Sequence, residues 1–435
     1  MARYKGASVL FLVCLFLLFY LWAKTPKLIN TSIEEEGPKQ PTIVRARPPG
    51  PIHKQQGFNT ESSQASRQIV DRFLYNKLPD IPSWNRPPEE HVPEKTPLFI
   101  GFTRNWPLLQ QCVLSYITAG WPAEDIYVVD NTGTMRSNFA PEPMITLQNP
   151  SYLNVDRLKN VFGVHVISTP TLLTFSQLQN FYIYTALENG WETYFWSHMD
   201  VVVLSDEDFT HAPLNQQRAP ATSHKSLYMR AVEELQRTSD PSYAEGYEGW
   251  GVRFFEYDWF ALNHVRSFVR AGGWDPMISY YSSDCDMYQR LQMANVMLDT
   301  AEAGWVVDVG RSIDLNLLFR RRYNADMPPK TADEMNQLAE DEMGGEGFQR
   351  LIGLFREEAE LKNRDPRERN RWQQRQLGGH GEPFHRDPRG FDMALKMMMR
   401  GGEEIYSEKW GHRGCDLKES GLQLNDAWMV EHDWE

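Results

Sequence analysis

Apolar residues after position 97 recur with two different spacings, which predict alternating strands and helices. The run Leu98–Phe102 predicts a short buried strand, and Trp106–Ala119 has the spacing of a helix that packs through one face. Ile126–Val129 predicts a second strand. A strand, a helix and a strand in this order predict a βαβ unit whose two strands are parallel.

The same alternation continues towards the middle of the chain. Strands are expected at Val164–Ile167 and Thr193–Trp196, with a helix between them at Phe175–Asn189. The stretch that begins with Ala261 (ALNHVR) predicts a further helix, and Tyr281–Leu291 predicts another. The chain is therefore expected to form an α/β fold in which a sheet is flanked by helices.

A third pattern occurs near the N-terminus, where residues 6–23 (GASVLFLVCLFLLFYLWA) carry no charge. This run is long enough to cross a membrane as a helix, and Tyr20 and Trp22 lie at its end, where such rings favour the interface. The short N-terminal tail and the acidic run Glu34–Glu36 favour a cytosolic N-terminus. The pattern predicts a single-pass type II anchor, and a cleaved signal peptide is the alternative.

Two segments differ from the rest in composition. Residues 24–96 are rich in proline, glutamine, serine and charge, which is typical of an extended stem, with one short helix expected at Ser66–Leu78. Residues 319–390 are dominated by charges of both signs, which predicts a solvated helix or a flexible insertion.

Charge and cysteine content narrow the function classes. The net charge is −13 over 435 residues, so a nucleic acid, whose phosphates such a surface repels, is not an expected partner. Of the four cysteines, Cys14 lies in the apolar N-terminal run, so the other three allow at most one internal disulfide. The redox compartment stays open on this evidence.

His198-Met199-Asp200 is a candidate metal site because it follows an aromatic strand. Two ligand side chains separated by one residue lie on the same side of an extended chain. There they can hold a divalent cation and, through it, a diphosphate. A structural pair or cap is the alternative, because a three-residue pattern often arises by chance.

Two further aspartates are candidates for contact with a substrate. Asp130 ends the second predicted strand, at the edge of the sheet where ligands of α/β folds bind, but Asp-Asn-Thr-Gly is also a common turn sequence. Asp284 begins a predicted helix and can act as a general base towards a hydroxyl, or it can cap the helix; the two roles are compatible.

Taken in order, these segments resemble nucleotide-sugar glycosyltransferases of the GT-A fold, most closely the inverting, family-2-like enzymes. The resemblance covers about half of the chain, from Pro97 to Val309. It rests on VVDNTG at 128–133, SHMD at 197–200, AGGWD at 271–275 and SSDCDMYQRL at 282–291. In addition, IYSEKWG at 405–411 is similar to a Tyr…Lys-Trp-Gly segment of related fungal sequences.

The resemblance implies roles for individual residues. Asp284 is the implied base, with Ser283 in place of the usual preceding glutamate. Asp200 matches the last aspartate of the family's DxD metal motif, and His198 stands in place of the first. The remaining implied roles are nucleotide contact for Asp130, an acceptor-side loop for Gly272, Gly273, Trp274 and Asp275, and late metal or phosphate binding for His412. Asn131 and Asp286 are further candidates for substrate binding.

The resemblance also implies an organisation around a Rossmann-like mixed sheet. Residues 1–23 are the implied cytosolic tail and membrane anchor, and 24–96 the stem. Residues 97–318 are the GT-A catalytic domain, 319–390 a charged insertion, and 391–435 the C-terminal part of the catalytic domain.

The implied function is that of a metal-dependent hexosyltransferase in the Golgi lumen, bound to the membrane through one N-terminal helix. It moves a sugar from a UDP- or GDP-sugar to a glycan, protein or lipid acceptor by an inverting displacement. Its cofactor is Mn²⁺ or Mg²⁺. A homo-oligomer is compatible with the sequence.

A catalytically inactive lumenal binding or scaffold protein is the alternative, because the HxD and Ser-Asp pairs depart from the family pattern. A nucleotidyltransferase is disfavoured, because Phe102–Trp106 lacks a glycine- and lysine-rich loop.

Overall fold

The computed structural model describes residues 76–132, 152–210, 224–321, 330–338, 342–364 and 388–434, without the side chains of residues 388, 389, 391 and 392. The predicted membrane segment at 6–23 and nearly all of the predicted helix Ser66–Leu78 lie outside these residues. Within the described ranges, no helix is long and apolar enough to cross a membrane.

The strands of the described residues form one large sheet and one small sheet. They are β1 (Leu98–Phe102), β2 (Ile126–Asp130), β3 (His165–Ser168), β4 (Thr193–Ser197), β5 (Val201–Leu204), β6 (Trp250–Glu256), β7 (Phe260–His264), β8 (Met297–Thr300) and β9 (Trp305–Asp308). The large sheet has seven strands in the order β3-β2-β1-β4-β7-β6-β8. Strand β7 is antiparallel to both neighbours and every other adjacent pair is parallel. Strands β5 and β9 form a separate antiparallel pair.

Helices connect the strands and continue after them. They are α1 (Trp106–Thr118), α2 (Val155–Arg157), α3 (Phe175–Glu188), α4 (Leu227–Thr238), α5 (Val265–Arg270), α6 (Ser283–Met293), α7 (Ala332–Asn336), α8 (Glu346–Asn363) and α9 (Pro388–Trp410). A π-helical turn at Leu158–Phe162 and 3-10 turns at Ser83–Asn85, Ala123–Asp125, Leu315–Phe319 and Leu424–Asp426 complete the helical elements of these ranges. The mixed α/β class expected from the sequence is confirmed, and a mostly parallel sheet flanked by helices fits the GT-A expectation.

The sheet is buried on both faces, and this explains the continuous apolar runs of its strands. In β1, Leu98 and Ile100 belong to one apolar core, which also takes side chains from α1, α4 and α8. Phe99 points the other way, into a second core with side chains from α3, α5 and α6. Its ring stacks on that of Tyr182, with centroids 4.8 Å apart. Gly101 permits this close approach of α3, because a Cβ there would lie 2.5 Å from the Tyr182 hydroxyl.

The helix predicted to begin at Ala261 is wrong in its first turn. Residues Phe260–His264 form β7, which pairs with β4 and β6, and helix α5 begins only at Val265. The side chains of β7 alternate between the two cores, with Leu262 in one and Ala261 in the other. A five-residue apolar run has too few positions to distinguish this alternation from one helical turn.

The charged region 319–390 is not simply a solvated or flexible insertion. Its helix α8 buries Phe348, Leu351, Ile352 and Phe355 in the larger core, each at most 4% exposed. The apolar residues recur with helical spacing, so one face of α8 is apolar although its composition is charged. The stem prediction also ends too late, because Asn85 is fully buried and donates to the Thr118 carbonyl at 3.1 Å.

A disulfide between Cys285 and Cys415 joins α6 to the segment after α9. The third cysteine of the described residues, Cys112, is buried and free. One internal disulfide is the maximum that the sequence allowed, and only the structure identifies the pair. The bond closes a long loop, because the two cysteines are 130 positions apart.

We expect Phe355→Ala to lower the free energy of unfolding by about 3–5 kcal/mol, because it removes a buried ring from the main core. The matched variant Glu357→Ala changes an exposed position of the same helix, and its effect should stay within about 0.5 kcal/mol. Urea denaturation followed by circular dichroism measures both. Equal and small effects would show that α8 does not pack in the core.

Candidate functional site

A cavity of about 470 Å³ lies at the carboxyl edge of the parallel strands. Its lining includes Thr103 after β1, Asn131 after β2 and His198 after β4. This volume is in the range of small-molecule sites, and the location is where α/β sheets bind ligands. Leu395 and Met399 of α9 also line it, so the C-terminal part of the chain helps to build the site.

Charged side chains of both signs line the cavity. The carboxylates are Asp200, Asp258, Asp284 and Asp308, and the cationic side chains are Arg104 and Lys362. Four of these six residues were not candidates from the sequence. The structure thus brings His198, Asp200 and Asp284 together in one space, as predicted, and adds partners from distant segments.

His198 and Asp200 of the HxD motif lie close together without a direct hydrogen bond between them. His198 Nδ1 is 3.9 Å from Asp200 Oδ1, and His198 Nε2 is 4.0 Å from Asp258 Oδ2. Both distances exceed hydrogen-bond length. The imidazole therefore lies between two carboxylates, one from its own motif and one from the β6–β7 turn.

Lys362 of α8 is the closest cationic partner of Asp200. Its Nζ lies 2.7 Å from Asp200 Oδ2, is in contact with Asp308 Oδ1 and donates to the Val309 carbonyl at 3.3 Å. Burial alone would raise the pKa of Asp200, but the charges of Lys362 and His198 outweigh burial and lower it. For Lys362, burial acts to lower the pKa and the two aspartates raise it on balance, so the side chain is an ammonium.

The arrangement around Asp200 does not fit a divalent cation as it stands. Carboxylate oxygens bind Mg²⁺ at about 2.0–2.1 Å, so an ion shared by Asp200 and Asp308 would coincide with the Lys362 ammonium. Like charges cannot share this space. In the described part of the chain, no three His, Cys, Asp or Glu side chains are grouped closely enough to hold a metal ion.

His412, the third predicted metal ligand, lies elsewhere. Its Nε2 is 2.8 Å from Asp416 Oδ1, and its Nδ1 contacts Asp433. The hydrogen bond that His412 donates to Asp416 raises the pKa of His412, against the effect of burial. This residue is not part of the cavity lining. The structure therefore does not bring His412 to His198 and Asp200.

Asp284 faces the cavity from the first turn of α6. The Tyr257 hydroxyl donates to Asp284 Oδ2 at 3.2 Å. Burial, reinforced by Asp284 and Asp258, raises the pKa of Tyr257, so the phenol keeps the proton that it donates. The positive end of α6 favours the charged carboxylate. Asp284 is thus held in one orientation, partly exposed, with an oxygen available to a substrate.

Asp130 and Asn131 lie at the end of β2, and their side chains make local structural contacts. Asp130 Oδ1 accepts from Thr132 N–H at 3.1 Å and from the Thr132 hydroxyl at 2.7 Å, as in the turn that the sequence left open. Burial raises the pKa of Asp130, and the bonds from Thr132 oppose that shift. Asn131 pairs with Leu173 through both of its amide atoms and lines the cavity, whereas Asp130 does not.

The other predicted substrate-binding residues lie outside the cavity lining, and Asp286 is the centre of a buried charge network. Asp286 is fully buried, and its carboxylate accepts from Arg290 at 2.7 and 2.8 Å, from Lys409 at 2.7 Å and from the Trp410 indole at 3.0 Å. Lys409 also contacts Asp275 Oδ2 at 2.8 Å. The same network fixes the glycine segment, because Arg290 donates to the Gly273 carbonyl at 2.7 Å.

Trp274 completes this part of the structure. Its side chain is 1% exposed and belongs to the second core, and its backbone N–H donates to Asn180 at 2.9 Å. Gly272 and Gly273 both have positive φ, which suits the tight turn before Trp274. None of these residues lines the cavity.

Sequence reasoning missed Arg104, Asp258, Asp308 and Lys362. Arg104 follows β1 at the same sheet edge as Asp130, so its position after a strand could have identified it as a candidate for ligand contact. Asp258 lies in the β6–β7 turn with φ 57°, a conformation that aspartate tolerates better than most residues. Asp308 and Lys362 carried no local signal, since Lys362 is 162 positions from Asp200.

Comparisons with known proteins complete the description. No protein-family model matches the chain, and no curated protein matches it. Among solved structures, a mannosyltransferase from Pyrobaculum calidifontis in complex with GDP-Man and Mn²⁺ aligns at 14% identity and a TM-score of 0.30, covering 56% of this chain and 64% of its own. TarS from S. aureus aligns at 11% identity and a TM-score of 0.32, covering 73% of this chain and 56% of its own.

These two alignments carry no argument about the activity of this chain. Their TM-scores are low, and this chain spans less than two thirds of either structure. What the site can do must therefore be inferred from its own residues.

We expect Asp286→Asn to lower the free energy of unfolding by about 3–5 kcal/mol, because it leaves Lys409 and Arg290 without their buried counter-charge. Asp284→Asn, two positions earlier, should cost no more than about 1 kcal/mol, the size of a lost interaction with the helix end. Thermal and urea denaturation of both variants measure the difference. A stable Asp286→Asn protein would contradict a structural role for this carboxylate.

Proposed function

We propose that the chain is a glycosyltransferase that moves a sugar from a nucleoside diphosphate to an acceptor hydroxyl. The observation that carries the proposal is the cavity at the carboxyl edge of the parallel strands, which combines an oriented, accessible carboxylate, Asp284, with the cationic side chains Arg104 and Lys362. A base and a cationic side chain in one space can serve the two ends of this transfer, the acceptor hydroxyl and the leaving diphosphate. The motif resemblance supports the same reaction class.

The donor would lie along the strand ends. Its nucleoside would approach Asn131 after β2, and its diphosphate would lie towards Arg104 after β1, where positive charge opposes the negative charge of the leaving group. The sugar would then lie towards Asp284. The donor is a UDP- or GDP-sugar in this proposal, and the acceptor is a glycan, a protein or a lipid.

The transfer is a single displacement. Asp284 takes the proton of the acceptor hydroxyl as the oxygen attacks the anomeric carbon, and the bond from that carbon to the diphosphate oxygen breaks with its electron pair on the leaving diphosphate. One base and attack from the opposite face invert the anomeric configuration. Tyr257 orients the Asp284 carboxylate before the step through its hydrogen bond.

The metal dependence expected from the sequence stays a prediction, and no step of this mechanism passes through a metal. His198 and Asp200 line the cavity, but Lys362 occupies the position between Asp200 and Asp308.

The proposal includes a lumenal location in the Golgi, with residues 6–23 as a type II anchor. The disulfide Cys285–Cys415 supports it, because disulfides form in oxidising compartments and are rare in the cytosol. The uncharged N-terminal run supports it independently.

We expect Asp284→Asn to lower kcat by about 10²–10⁴-fold with little change in the KM for the donor, because it removes the base but not the donor contacts. Asp258→Asn, in the same cavity, should lower kcat by about 10-fold at most, since no proton transfer is assigned to it. Release of nucleoside diphosphate by the full chain in detergent, over a panel of UDP- and GDP-sugars with glycan acceptors, measures both.

The same panel distinguishes the alternative function. A donor that raises the melting temperature but is never turned over, whatever acceptor is added, would favour the lumenal binding or scaffold protein. The absence of any nucleotide-dependent change in melting temperature or release would refute the transferase.

We expect an epitope tag after Glu435 to be protected from protease in intact microsomes and cleaved once detergent is added, while a tag before Met1 is cleaved in both. This follows from the type II orientation of the uncharged segment. A C-terminal tag cleaved in intact microsomes would contradict the lumenal location.

A further inference from the structure

Lys362 is fully committed to acceptors at one end of the cavity. Its side chain is 3% exposed, and the ammonium, which has three donors, contacts Asp200, Asp308 and the Val309 carbonyl. Its stem lies over Gly310, where a Cβ would be 3.7 Å from the Cβ of Lys362. The lysine is therefore part of a built site and not a surface side chain near it.

The two carboxylates are held together by backbone pairing. Val201, the residue after Asp200, is the partner of Asp308 in the β5–β9 register, and Val309 N–H donates to the Asp200 carbonyl at 2.8 Å. Two buried carboxylates in this position repel each other unless a cation lies between them. Their separation is therefore fixed by the fold, and the cation is a requirement of the fold.

The helix that carries Lys362 is anchored independently. Phe355 is 1% exposed in the main core, and Glu358 pairs with Arg311 at 3.2 Å, next to the Asp308–Gly310 segment. These contacts on the preceding turns of α8 deliver Lys362 to the carboxylate pair. A lysine placed by a packed helix is present at its site at all times, whereas a metal ion must be acquired from solution.

We propose that the Lys362 ammonium takes the place of the divalent cation between Asp200 and Asp308, and that sugar transfer at this site proceeds without a divalent ion. The part of this inference that concerns transfer rests on the proposed function. Lys362 acts as a positioning residue, since its ammonium lies between Asp200 and Asp308 and offsets part of their charge, which would otherwise repel the incoming diphosphate. Arg104 is left as the cation that faces the diphosphate directly.

The inference explains the histidine in the HxD motif. His198 Nδ1 is 3.9 Å from Asp200 Oδ1 and lies on the side away from the Oδ2 atom that Lys362 contacts. A motif that no longer binds a divalent ion needs only one carboxylate to receive the lysine. The first position of the motif can then be a residue other than aspartate.

The test is a Mn²⁺ titration followed by electron paramagnetic resonance, which needs no sugar donor. Wild-type protein should bind no Mn²⁺ at this site. Lys362→Met keeps the length of the stem but removes the charge, and it should bind one equivalent with an affinity at least about 10-fold above any residual binding by wild type. Arg350→Met is the matched control, because it removes an exposed cation of the same helix more than three turns before Lys362, and it should behave as wild type.

Turnover gives the second readout. Wild-type nucleoside diphosphate release should be unchanged by EDTA within about twofold, whereas Lys362→Met should be inactive in EDTA and regain activity with Mn²⁺, a rescue that a merely structural lysine would not show. Lys362→Arg keeps the charge and should stay independent of metal. If Lys362→Met does not fold, the wild-type titration and the EDTA assay still decide the question.

Three results would overturn the inference: one equivalent of Mn²⁺ bound by wild type and lost in Asp200→Asn, no Mn²⁺ bound by folded Lys362→Met, or wild-type turnover that EDTA abolishes and Mn²⁺ restores. Failure of the proposed function is distinguishable. In that case no donor is turned over under any condition, while the Mn²⁺ titration still decides whether Lys362 occupies a cation site.

Discussion

The carboxylate pairs buried near the edge of the sheet need a neighbouring cation to stay charged. Two lysines from the last third of the chain supply these cations. Lys362 of α8 contacts Asp200 and Asp308, and Lys409 of α9 contacts Asp275 and Asp286. Each lysine joins a late helix to segments that lie far earlier in the chain. Because α8 and α9 also contribute to the cavity lining, the same two charge pairings that attach these helices define the extent of the site.

Helix α6 shows how closely structural and chemical roles can be combined. Asp284 and Asp286 are two residues apart, which turns their side chains by about 200° around the helix axis. Asp284 therefore faces the cavity and Tyr257, while Asp286 faces Lys409, Arg290 and the Trp410 indole. The contacts of the buried Asp286 fix the rotation of α6 about its axis, and this rotation directs Asp284 towards the cavity. The adjacent disulfide Cys285–Cys415 holds the same helix to the C-terminal segment.

Side chains offset part of the negative charge at the cavity. Four carboxylates and two cationic side chains line one space, with His198 between Asp200 and Asp258. Lys362 has no donor left for a ligand, so it acts by offsetting the charge of Asp200 and Asp308. Arg104 is the cation that we propose to face the leaving diphosphate. Arg104 and Lys362 come from different halves of the chain and have different roles at the cavity.

The sequence by itself determined the local elements and the residues at their ends. Strands β1, β2, β3 and β4 and helices α1 and α3 were predicted to within about two residues, because their apolar periodicity is a local property. His198, Asp200 and Asp284 were identified because strand ends and helix starts place side chains at the ligand-binding edge of the sheet. Strand β7 was taken for a helix because one turn and five strand residues have similar apolar patterns.

Only the tertiary structure decided which charges meet. Lys362 lies in a stretch whose composition predicted solvent exposure, yet its helix packs through Phe348 and Phe355 and carries the lysine to Asp200, 162 positions away. Asp286 and the Gly272–Asp275 segment matched a substrate-binding motif, yet none of them lines the cavity, and Asp286 is buried against Lys409 and Trp410. Pairing across such distances depends on the three-dimensional path of the chain, which leaves no periodic signal in the residues that it joins.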